Sequence, residues 1–112
     1  MRPMRLIEPS PGAYSLLLDA GTTDVDGVVE ELGHEPNGYF WEGVARVLVG
    51  TEAPALDGRF AYDPEGSMFC AYGTDRDALA ELAGRMSAVA TDPERIRQVI
   101  ALAHATGVEF DD

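Results

Sequence analysis

Apolar positions along this 112-residue chain are spaced in two ways, closely in some stretches and at helical intervals in others. Near the N-terminus they crowd together. "MRLIEP" (4–9) predicts a short strand, and "AYSLLLDAG", Ala13 to Gly21, predicts a second with little polar alternation. From Thr22 the spacing opens. Val25, Val28, Val29 and Leu32 share one face of a helix over 22–33, with Thr23 and Asp26 at capping-box spacing and Gly33 as the stop. Gly27 weakens that helix by ~1 kcal/mol relative to alanine. Beyond a turn at Pro36-Asn37-Gly38, Tyr39 to Val49 predicts a second helix. Its buried stripe is Phe40, Val44, Val47 and Leu48, and Gly50 closes it.

After a loop, the pattern repeats. Arg59–Tyr62 and Ser67–Tyr72 predict a hairpin around a four-residue turn, Asp63-Pro64-Glu65-Gly66. Leu79, Leu82, Met86 and Val89 mark a third helix opening at Thr74-x-x-Asp77. Ile96, Val99, Ile100 and Ala103 mark a fourth, with a Thr91-x-x-Glu94 capping box, Pro93 in its first turn and Gly107 as its stop. The order is ββααββαα. It predicts an α+β fold: one domain over residues 1–112, an antiparallel sheet of about four strands with four helices packed on it. "TTDVDGVVEELG" (22–33) and "GTDRDALAELAG" (73–84) align without gaps and are identical at five of twelve positions. This is a weak internal similarity, carried mainly by cap and stop residues that any strand-to-helix turn favours.

Charge narrows the choice of partner. The chain has no lysine, and its eight basic residues face twenty acids, for a net charge of -12. The surplus is even, with nine acids and three arginines in residues 1–56 and eleven and five in 57–112. Such a chain repels nucleic acid and anionic membrane and attracts a basic protein, although acidic surfaces also serve solubility alone. No apolar run approaches the ~20 residues that span a bilayer, and the first residues lack the apolar core of a signal peptide, so the expected location is cytoplasmic. The single cysteine, Cys70, excludes an intrachain disulfide.

The chain carries little that resembles catalytic or cofactor chemistry. Two histidines and one cysteine do not make a metal cluster, and His34 and His104 are assigned structural roles. Asp24, Asp26 and Gly27 match part of a calcium loop, but Thr22 and Gly33 stand where carboxylates belong. No Walker-type phosphate loop is present. Cys70 has no basic neighbour in sequence and is expected to be a buried, inert thiol. No catalytic residue, metal ligand or cofactor is therefore assigned. What stands out is aromatic residues beside acids in turns: Tyr39, Phe40 and Trp41 before Glu42, and Tyr62 before Asp63 and Glu65. Phe40 and Trp41 are expected in the core and Tyr39 at the surface. Tyr39 and Glu42, with Glu35, Asp63 and Glu65, then form a candidate partner-binding patch, because exposed tyrosine anchors interfaces and acids select a basic partner.

The segments "GAYSLLLDAG", "GHEPNGYFWEGVA" and "DPEGSMFCAYGTD" closely resemble the immunity protein 51 family of bacterial polymorphic toxin systems. The resemblance covers about Gly12 to Val89 and runs more loosely to the C-terminus. It implies a small cytoplasmic protein, encoded beside a toxin, that protects the producing cell by binding and neutralising that toxin. It carries no functional residues with it. The charge would suit a nuclease toxin, whose cleft is basic. Two other classes stay open at this point. A small-ligand-binding protein or small enzyme needs a concave pocket with convergent polar groups, and a structural subunit needs a large apolar patch for self-association.

Overall fold

The computed structural model describes residues 3–110. Its elements follow the predicted order: β1 (Arg5–Ser10), β2 (Ala13–Asp19), α1 (Asp26–Glu31), α2 (Gly38–Glu52), β3 (Ala61–Tyr62), β4 (Met68–Gly73), α3 (Arg76–Ala90) and α4 (Pro93–Thr106). The four strands form one antiparallel sheet in the order β1-β2-β4-β3, so two hairpins meet where β2 pairs with β4. The fold is α+β, as the spacing predicts.

Period-two geometry divides the sheet into two faces. Leu16 pairs with Ala71 and Leu18 with Phe69, and all four are fully buried. They join a core in which Phe40, Trp41, Val44, Leu79, Leu82, Met86, Ile96 and Val99 are also fully buried. The core stripes predicted for α2, α3 and α4 are therefore the buried ones. Leu17 pairs with Cys70 and Ser15 with Tyr72 on the other face, where Ile7 and Tyr72 stand exposed. The helices lie on the first face.

Several local predictions are corrected. Helix α1 is six residues long rather than twelve. Its N-cap position is Val25, with no side-chain cap, because the Thr23 hydroxyl donates to the Asp26 carboxylate instead. Val25 and Val29 are buried as expected, but Leu32 lies past the helix end and is 38% exposed. Helix α2 starts one residue early, since Asn37 Oδ1 accepts from the Phe40 N–H at 2.9 Å. It also runs through Gly50 to Glu52 and ends before Pro54, which cannot continue it. The caps of α3 and α4 are Asp75 and Asp92 rather than Thr74 and Thr91. A carboxylate is the stronger acceptor for orphan N–H groups. Thr91 instead donates back to the Ser87 carbonyl at 2.8 Å. At the end of α4, Gly107 adopts the left-handed conformation (φ 77°), as a helix stop requires.

The hairpin is tighter than expected. Glu65 bridges to Met68, which leaves Gly66-Ser67 as a two-residue turn. Regular pairing in β3 is confined to Ala61 and Tyr62, while Arg59 and Phe60 fall outside the strand. Pro64 lacks an N–H for the ladder and interrupts the regular pairing.

Candidate functional site

The hairpin tip is held from two sides. Ala20, just past β2, donates its N–H to the Ser67 carbonyl at 2.9 Å, and Gly38 at the start of α2 donates to the Gly66 carbonyl at 3.2 Å. A Cβ at Gly38 would overlap the carbonyl oxygens of Glu65 and Met68, so only glycine lets the helix start so close to the turn. This contact seats Tyr39 at the corner between α2 and the hairpin. Tyr39 is 41% exposed, while its neighbours Phe40 and Trp41 are fully buried with ring centroids 5.2 Å apart. The three contiguous aromatics thus divide as predicted, two into the core and one out.

Tyr39, Glu42 and Arg46 form the outward stripe of α2 at i, i+3 and i+7 spacing. Glu42 accepts from Arg46 Nε at 2.9 Å, and the Arg46 guanidinium lies over the Tyr62 ring, 4.8 Å from its centroid. Part of the Glu42 charge is therefore neutralised within the molecule. Beside this stripe is a hollow of about 300 Å³ lined by Arg46, Val49, Gly50, Pro54, Asp57 and Tyr62. Burial pushes the Tyr62 hydroxyl up to about 12, against the opposing pull of Arg46, with Glu42 and Asp57 adding to the rise.

Asp63 and Glu65 point to the other side of β3. The register sets Asp63 opposite Cys70 and Glu65 opposite Met68, on the open face of the sheet. Burial raises the Cys70 thiol above its ordinary value. The charges of Asp63 and Glu65 raise it further, and a side-chain hydrogen bond with Ser15 pulls the other way. Cys70 is half-buried on this open face rather than sealed in the core, which corrects the expectation of a buried thiol. The five predicted residues therefore do not form one flat patch. Tyr39 and Glu42 lie on the helix side of the β3 edge, and Asp63 and Glu65 lie on the sheet side. Glu35 is exposed just before α2, and its carbonyl accepts from the Asn37 N–H at 2.7 Å. The patch wraps around an edge.

Sequence reasoning did not single out Ile7 and Tyr72 as surface candidates. Their signal was adjacent apolar residues in one strand, Leu6 beside Ile7 in β1 and Ala71 beside Tyr72 in β4. A strand apolar on both faces, in a sheet with helices on one, leaves apolar side chains on the other.

Arginine is largely committed elsewhere. Arg5 pairs with Asp19, Arg59 with Asp75, Arg97 with Glu31, and both Arg85 and Arg95 with Glu52. Asp63 and Glu65 form no ion pair among the described residues. No group of three or more potential metal ligands occurs among the described residues. His34 packs against Phe40 and Phe110, at centroid distances of 5.8 and 5.0 Å, and lies 5.8 Å from the His104 ring.

The model of a protein family described as immunity protein 51 matches residues 4–105, nearly the whole chain. The chain belongs to the immunity protein 51 family. Comparison with curated proteins and with solved structures finds no match. Membership in an immunity protein family implies a toxin to be neutralised, a role generally filled without catalysis. Among the described residues of this immunity protein, no helix is long and apolar enough to cross a membrane.

Proposed function

We propose that this protein binds and neutralises a cognate toxin of a bacterial polymorphic toxin system in the cytoplasm of the cell that makes both. It does so without chemistry of its own, and the toxin presents a basic surface. The observation that carries this proposal is the β3 edge. Exposed Tyr39 sits at a corner, Glu35 lies just before it, Glu42 lies one turn along, and Asp63 and Glu65, which form no ion pair among the described residues, project from the adjoining hairpin. A net charge of -12 extends the attraction over the whole molecule and speeds encounter with a basic partner.

The test is co-expression with the product of the adjacent open reading frame, scored by growth rescue and co-purification. Tyr39→Ala combined with Glu42→Arg is expected to leave folding largely intact and to weaken binding. A double variant that stays folded and protects cells as well as the parent would move the site off this corner.

A further inference from the structure

The open face of the sheet lies directly against the acidic hairpin. Its exposed large apolar residues are Ile7 and Tyr72. Ile7, Ser15 and Tyr72 are neighbours across three strands, as are Arg5, Leu17 and Cys70. Ile7 is 41% and Tyr72 46% exposed. Next to them is a depression of about 420 Å³ that runs from Ala13 and Tyr14 past Cys70 and Tyr72 to Asp63. The two margins differ in charge. On the β1 side Arg5 pairs with Asp19 at the end of β2 at 3.1 Å, and Glu8 accepts from the Gly12 N–H at 2.9 Å. On the β3 side Asp63 and Glu65 remain unpaired among the described residues.

We infer that the open sheet face is the apolar centre of the toxin-binding surface and that the β3-edge acids are its charged rim. The inference rests on the toxin-binding proposal and extends it. The toxin would present an apolar ridge bordered on one side by arginine or lysine. Charge selects this occupant over a second copy of the chain. Two molecules of net charge -12, each with one unpaired acidic margin on this face, repel one another, whereas a basic surface is attracted. Size ties the face to the corner. Three strands about 4.8 Å apart and roughly 20 Å long, with the two-residue β3 at their edge, present on the order of 300 Å², less than half of the ~800 Å² each partner contributes to a standard interface. The Tyr39 corner, reached around β3, supplies further area. An apolar centre holding an aromatic anchor within a polar rim is the usual anatomy of a specific interface.

The experiment measures affinity for the polypeptide encoded by the adjacent open reading frame. Tyr72→Arg is compared with Gln98→Arg, which adds the same single charge on exposed α4. Denaturant unfolding confirms that each variant folds, and Ile7→Arg serves as a second probe of the face. Tyr72→Arg and Ile7→Arg are expected to weaken binding by about thirtyfold or more, with Gln98→Arg within about threefold of the parent. If the parent binds and both face variants bind equally well, the face is not the interface, while the toxin-binding proposal survives. If the parent does not bind that polypeptide, both fail. Sedimentation that shows a dimer abolished by Tyr72→Arg would assign the face to self-association and overturn the inference.

Discussion

On one side of the sheet, Leu16, Leu18, Phe69 and Ala71 are fully buried under helices. On the other side Tyr72, one residue along β4 from Ala71, and Ile7 of β1 stand 46% and 41% exposed, while Leu17 of β2 is itself buried. Both sides are rich in apolar residues, and they differ in what covers them. The covered side holds the molecule together, since a large buried side chain contributes ~1.5–3 kcal/mol by its removal from water. The open side leaves Ile7 and Tyr72 without such cover. Exposed apolar residues beside acids that form no ion pair among the described residues are a more local feature than charge, which is spread along the whole chain.

The comparison can be broken most forcefully on β4, where neighbouring residues face opposite ways. Phe69→Ala is expected to lose ~3–5 kcal/mol of stability in denaturant unfolding, as is Phe40→Ala on the helix above it. Gly38→Ala tests the clamp that joins the two sides around β3. Its Cβ meets backbone carbonyls that cannot move independently, and a loss of ~1–3 kcal/mol is expected. Tyr72→Ala should change stability by less than ~1 kcal/mol, the range of cross-strand pair effects. A loss as large as that of Phe69→Ala would mean that the open face is structural.

Tyr62, at the β3 edge, sharpens the contrast through pH. Burial pushes its hydroxyl up to about 12 in the folded protein, from the ordinary value of 10.0. Between those values the unfolded chain has released the proton and the folded chain has kept it. The stabilisation is thus complete below the unfolded value and is lost as pH rises through the folded one. Unfolding free energy measured across alkaline pH should fall over that window, and Tyr62→Phe should flatten the fall. A still smaller effect is expected from salt, which screens charge to ~8 Å at physiological strength. Added salt should slow association with the toxin while leaving dissociation nearly unchanged.

Much of the fold was legible because helical spacing is redundant. Leu79, Leu82 and Met86, or Ile96, Val99 and Ile100, mark a buried stripe even when a cap is misassigned by one residue. Caps were less legible because threonine and aspartate stand side by side at Thr74-Asp75 and Thr91-Asp92, and only geometry decides which accepts the N–H. The division of Tyr39, Phe40 and Trp41 was legible from their place at a helix start. The wrapping of the candidate site was not. It depends on the register of a short β3, which puts Tyr62 on one side of the edge and Asp63 on the other. The open face was half legible, in the adjacent apolar pairs Leu6-Ile7 and Ala71-Tyr72, but a sequence does not state that helices cover a single side.

Cys70 offers the most direct test, because it is the single cysteine of the chain and lies half-buried in the middle of the open face. The measurement is the rate of maleimide labelling of Cys70, followed by the mass of this chain, free and in complex with the adjacent-frame polypeptide. Docking on the sheet face excludes solvent from Cys70 and is expected to slow labelling by about tenfold or more. An intact complex in which Cys70 labels as fast as in the free protein would contradict the assignment of the toxin to this face.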